Sequence, residues 1–103
     1  MTNQTNSADS NDLELAKEAL RKDVSLAEDL EGLQNDERFQ RVFLENFCKT
    51  VVEEEAKQLI SANEMVREAA LEKIKAAKYL EAYMSYIKDV GNAAKEDLLK
   101  GDF

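Results

Sequence analysis

The chain has 103 residues and a formal charge of −8, from 14 lysines and arginines against 22 aspartates and glutamates. That length holds one small core, and the acidic balance argues against a surface that neutralises nucleic-acid phosphates, so no direct nucleic-acid binding is expected. With no histidine, no tryptophan and one cysteine, the chain lacks the residues for imidazole acid–base catalysis, Cys/His zinc sites, disulfide frameworks and His-activated nucleophiles. Proline is absent and glycine occurs three times, so the turn residues that an all-β fold needs at each reversal are missing. The expectation is an all-α protein with no enzyme activity, no cofactor and no metal.

Residues 1–10 are polar and small, with no apolar anchor to offset the entropy of ordering them, and read as a flexible tail. They carry neither the basic nor the apolar region of a targeting peptide. The most apolar stretch, around Tyr79 to Ile87, is interrupted by Glu81 and falls short of the roughly 20 residues of a membrane span. A cytoplasmic chain without membrane contact follows. Residues 11–34 read as an acidic arm. Leu13, Ala16 and Leu20 have helical spacing after Ser10, Asn11 or Asp12 as a cap. Asp23-Val24-Ser25 then reads as a break, and Ser25 with Glu28 as a capping box opening a second short helix with Leu26, Leu30 and Leu33 on one face. Gly32 makes that segment marginal alone.

Residues 35–103 read as a long antiparallel helical hairpin, with arms at about 36–61 and 64–100. Asn35-Asp36 can cap the first arm, and Asp36 and Glu37 suit the positive end of its dipole. Phe39, Phe43, Phe47 and Val51 recur every fourth residue, beside Leu44, Cys48, Val52 and Ala56, giving a wide apolar face on a helix about 38 Å long. Ser61-Ala62-Asn63-Glu64 is a second capping-box match and reads as a tight turn, although one unbroken helix over 36–90 fits helix propensity nearly as well. In the second arm Ala70, Ala77, Met84, Gly91 and Leu98 are spaced by seven, interleaved with Leu80, Ile87 and Ala94, an a/d seam that predicts pairing with another helix. Lys73 disrupts the start of the seam unless Ile74 takes its place. Gly91-Asn92 reads as a stop or a kink.

Charge is distributed unevenly. Residues 1–36 hold nine acids and three bases, residues 37–63 five and four, and residues 64–103 eight and seven, so the acidity belongs mainly to the arm and the hairpin carries mixed charge of the kind found on solvated helix faces. Glu53-Glu54-Glu55 point about 100° apart on a helix and read as solvated rather than as a metal site. Cys48 reads as a small apolar residue. Tyr79, Tyr83 and Tyr86 form a second stripe beside the seam, their rings suited to burial and their hydroxyls to water. An interface and packing within the chain account for that stripe equally well.

The stretch NDERFQRVFLENFCKTVVEEEAKQL, followed by REAALEKIKAAKYLEAYMSYIKDVGNAAKEDL, resembles small acidic helical proteins of tailed bacteriophages. The corresponding features are an acidic turn at Asp36, Phe39, an apolar helix ending near Leu59, then Tyr79, Leu80 and Tyr86 and a close near Gly91 and Ala94. The resemblance spans about residues 35–98 and leaves the arm unmatched. It implies a virion or virion-assembly protein made in the cytoplasm of an infected bacterium and incorporated in the particle. The residues themselves point to adhesion, because a two-helix hairpin hides one face of each helix and these arms carry more apolar surface than that. The predicted association surface comprises Phe39, Phe43, Phe47, Val51, Ala77, Tyr79, Leu80, Tyr83, Met84, Tyr86 and Ile87, with a second copy of the chain or other virion proteins as partner. The competing reading is an acidic inhibitor that presents residues 1–36 to a basic cleft on a host protein.

Overall fold

The computed structural model describes residues 2–101, with side-chain surroundings from residue 10 onward. It is all-α: α1 (Thr2–Gln34), α2 (Glu37–Phe39), a π-helical segment (Gln40–Val51), α3 (Val52–Gln58) and α4 (Glu64–Lys100). No strand occurs among the described residues. The chain divides into two compact units, one of Met1–Leu30 with Ile87–Phe103 and one of Glu31–Tyr86. These units cut the chain differently from an arm followed by a hairpin.

The second unit contains the expected antiparallel helix pair. Glu55 on the first arm pairs with Lys73 at 3.1 Å, and Cys48 lies against Ala77, so numbers rise on one arm as they fall on the other. The turn falls at 59–63, but Asn63 rather than Ser61 caps α4. Met65 N–H donates to Asn63 Oδ1 at 3.0 Å, Asn63 N–H donates to Ser61 Oγ at 3.1 Å, and Arg67 Nη1 donates to the Ser61 carbonyl at 2.7 Å. Side-chain hydrogen bonds thus perform the reversal that Gly or Pro would otherwise provide. At the other end of the first arm, Asp36 is the N-cap. Its backbone is extended (φ −81°, ψ 123°) and its Oδ1 accepts from Arg38 N–H at 2.8 Å. Gln40 Nε2 donates to the Gln34 carbonyl at 2.7 Å, satisfying an acceptor at the end of α1.

Two sequence expectations are corrected here. The arm is one 33-residue helix rather than one or two short ones, and Ser10, Asn11, Asp12 and the Asp23-Val24-Ser25 break lie inside it. The break residues are tolerated because Val24 and Ala27 are half-buried and Leu30 is buried, and tertiary packing outweighs weak helix propensity. The expected flexible tail at 1–10 falls on side chains that, up to residue 9, lie outside the described ones. Gly91 does not end α4, which runs to Lys100. It sits where α1 comes close: a Cβ at 91 would collide with the Ala27 Cβ and meet the Asp23 carbonyl at 3.3 Å. The helix ends at Gly101, whose φ of +64° is the left-handed conformation that glycine adopts without steric cost.

The π-helical segment was not anticipated. Its N–H groups reach five residues back, and twelve residues is long for a form that mostly appears as single-turn bulges. Thr50 Oγ1 follows the same spacing, donating to the Glu45 carbonyl at 3.1 Å. The trace in the sequence is the strict four-residue recurrence from Phe39 to Val51, a period longer than the 3.6 of an α-helix that the wider π turn accommodates.

The fork between Asp36 and Arg38 carries a pH prediction. Arg38 Nε donates to Oδ1 at 3.2 Å and Nη2 to Oδ2 at 2.9 Å, and this guanidinium, with the capped backbone N–H, lowers the carboxyl from 3.8 to about 2. A depressed folded-state value stabilises the protein above the ordinary carboxylate range, and the stabilisation is lost as pH falls from 3.8 towards about 2. Urea midpoints measured across that window are expected to fall less for Asp36→Asn, which retains a cap but not the charge, than for the unsubstituted protein. Equal falls for the two proteins would remove Asp36 from the acid response.

Candidate interaction surface

The seam of α4 follows its heptad spacing. In the second unit Ala70 and Ala77 are 0% exposed and Met84 is buried; in the first, Ile87 and Ala94 are buried, as is Gly91. At the start of the seam Ile74 is half-buried and turned inward, while Lys73 is exposed and reaches Glu55. Ala70 and Ala77 permit close approach of the first arm. The Cys48 Sγ lies 4.0 Å from the Ala77 carbonyl oxygen, at the far limit of such a contact. Burial, with Glu81 adding to it and Lys78 opposing it, pushes the Cys48 thiol up. Cys48 is therefore expected to react with a thiol reagent at the rate of unfolding rather than at the rate of a free thiol, and rapid labelling of the native protein would contradict its burial.

The eleven residues expected on an association surface divide into three sets. Ala77, Met84 and Ile87 are buried within the chain and corrected to internal packing, because helix pairing consumes the seam. Leu80, Phe39, Phe47 and Val51 are half-buried. Phe43 is 42% exposed and stacks on Phe39 with ring centroids 5.1 Å apart and planes tilted by 32°, a geometry that favours an aromatic pair. Tyr79, Tyr83 and Tyr86 stand out from α4 at 80%, 55% and 65% exposure. The stripe that two readings explained equally well is thus exposed among the described residues.

Further exposed apolar side chains lie outside the predicted association surface. Ile60 at the turn, Met65 in the first turn of α4, Val42 on the π-helical segment, and Leu15, Leu26 and Leu33 on α1 are all exposed. On α1, Leu26 and Leu33, expected on one face with Leu30, are exposed while Leu30 is buried. The physical reason for so much apolar exposure is that, among the described residues, each unit is built from paired helices with no third layer. Among the described residues no large side chain is fully buried, and those at 0% are alanines.

The electrostatics around the tyrosines are balanced. Glu72 and Lys75 approach to 3.8 Å and Lys78 and Glu81 to 3.7 Å, each pair along α4. Glu53 and Glu54 are exposed and Glu55 is half-buried against Lys73. No group of three or more Cys, Asp or Glu side chains converges as a metal site among the described residues. The concavities include one lined by Lys75, Lys78, Tyr79 and Ala82 and one by Met65, Glu68, Ala69, Leu71 and Glu72; each is a surface of α4 alone, unlike the enclosing clefts that hold small molecules. No helix among the described residues is long and apolar enough to cross a membrane. The chain matches no protein-family model, no curated protein and no solved structure.

Proposed function

We propose that the chain is a non-enzymatic structural protein whose work is association through apolar helix faces, as a component of a tailed-phage virion or of its assembly, in the cytoplasm of the infected bacterium and then in the particle. The observation that carries the associative part is the exposure of Tyr79, Tyr83 and Tyr86 at 80%, 55% and 65% beside a seam already filled from within. Large aromatic side chains with one wet end are enriched where proteins meet, and their burial is worth several kcal/mol at about 25 cal/mol per Å². The phage assignment rests on the resemblance over residues 35–98. Mass spectrometry of purified particles and of assembly intermediates is expected to find this polypeptide in a fixed copy number. Its absence from both would overturn the assignment.

The acidic-inhibitor reading keeps one supporting feature, the exposed Glu14, Glu18, Glu28 and Asp29 on α1. Against it, α1 packs on its own chain where Ala27 meets Gly91. Salt dependence separates the two readings. Binding through α1 carboxylates weakens steeply as ionic strength rises, whereas binding through the tyrosines does not.

A further inference from the structure

We infer that a second copy of this chain covers the tyrosine face of α4, in an antiparallel arrangement that sets Tyr79 of one copy against Tyr83 of the other. The inference rests on the associative reading above and names its partner. Three features of the face select a second copy.

The first is charge. The ion pairs Glu72–Lys75 and Lys78–Glu81 make the flanks of the stripe neutral in a chain whose net charge is −8. Most of that charge belongs to residues 1–36, where two chains repel, and the neutral patch lies outside that segment, so two copies can meet here without net repulsion. An acidic or a basic partner finds no net charge here to recognise.

The second is area. A tyrosine buries roughly 150–250 Å², so three rings at these exposures offer on the order of 300–500 Å². The exposed methyls of Ala76 and Ala82 and the stems of the flanking lysines extend the patch towards the roughly 800 Å² per partner of a standard interface.

The third is self-complementarity. An isologous contact requires that if residue i meets j, then j meets i. Antiparallel pairing of Tyr79 with Tyr83 also places Tyr86 of each copy opposite Ala76 of the other, since the two pairs have the same mean position on α4. Ring meets ring at the centre, and a large side chain meets a small one at each end, the alternation that lets facing helices interdigitate.

Sedimentation equilibrium of the full chain tests this. A dimer is expected at about 100 µM, with a dissociation constant little changed by salt. Tyr83→Glu is expected to raise that constant about thirtyfold or more, as for loss of a buried aromatic anchor, with circular dichroism unchanged because the residue is exposed. In a Cys48→Ala background, chains carrying Tyr79→Cys and chains carrying Tyr83→Cys should form a disulfide when mixed, and neither should do so alone. A monomer at that concentration, a dimer indifferent to Tyr83→Glu, or self-linking of Tyr79→Cys alone each overturns the inference. The wider reading fails separately. If the chain is monomeric yet Tyr83→Glu removes it from particles, adhesion stands and self-pairing does not; if the chain is monomeric and absent from particles, both fall.

Discussion

Replacing Gly91 with valine is expected to lower the unfolding free energy by about 2–3 kcal/mol. A Cβ at that position collides with the Ala27 Cβ and comes within 3.3 Å of the Asp23 carbonyl oxygen. Both obstacles are fixed to the backbone of α1, so no side-chain rotation relieves the overlap and the helices must separate. Separation withdraws cover from Leu30, Ile87 and Ala94, which are buried in the same unit. Removing a helical glycine offsets part of the loss, by up to about 1 kcal/mol for alanine and less for a β-branched residue. Gly91→Ala is therefore expected to cost less, about 1 kcal/mol, and Ala27→Gly should recover most of that in the double variant by removing the opposing methyl. Urea unfolding followed by far-UV circular dichroism gives all four corners of the cycle, and strong non-additivity is the expected signature of direct contact. A Gly91→Val protein as stable as the parent would show that α1 does not lie there.

Ala77→Leu is expected to destabilise the other unit by about 2 kcal/mol. Ala77 is 0% exposed and its carbonyl oxygen faces the Cys48 sulfur, so a leucine side chain must displace the first arm. Cys48→Ala in the same chain removes the sulfur that lies against Ala77 and should restore part of the loss. Ala56→Leu, an exposed position on that arm, should change stability by no more than about 0.5 kcal/mol. Similar effects at Ala56 and Ala77 would contradict the pairing of the arms along this seam.

Much of the fold was legible because helix pairing leaves a periodic trace. The seven-residue spacing of Ala70, Ala77, Met84 and Gly91, the exchange of Lys73 for Ile74, and the turn at 59–63 all follow from side-chain spacing and local hydrogen-bonding chemistry. The continuity of α1 was not legible, because Asp23-Val24-Ser25 and Gly32 are local punctuation, whereas the packing of Ala27 against Gly91 joins residues 64 positions apart. For the same reason Gly91 read as a helix end. Its meaning lies in a neighbour that the local sequence does not contain.

The association surface was legible in part. Periodicity separates an apolar stripe from a polar one, but it does not say which of two apolar stripes the chain will use on itself. The structure spends Ala77, Met84 and Ile87 internally, which small residues at Ala70, Ala77 and Gly91 favour by letting backbones approach. The bulky tyrosines are left outside. Side-chain size within each stripe was the available discriminator, and it points to the alanine- and glycine-bearing stripe as the one closed within the chain.

The π winding over Gln40–Val51 bears on how this chain can vary in length. A helix with five-residue hydrogen-bonded turns holds a surplus of backbone relative to one with four-residue turns. Deleting one residue there need not shift every later side chain out of phase, because tightening towards α winding absorbs the deficit between Asp36 and the turn. Deleting one residue from α4 has no such reserve and moves each downstream seam position by about 100°. Tolerance to indels should therefore be asymmetric between the two arms, permissive in the first and strict in the second.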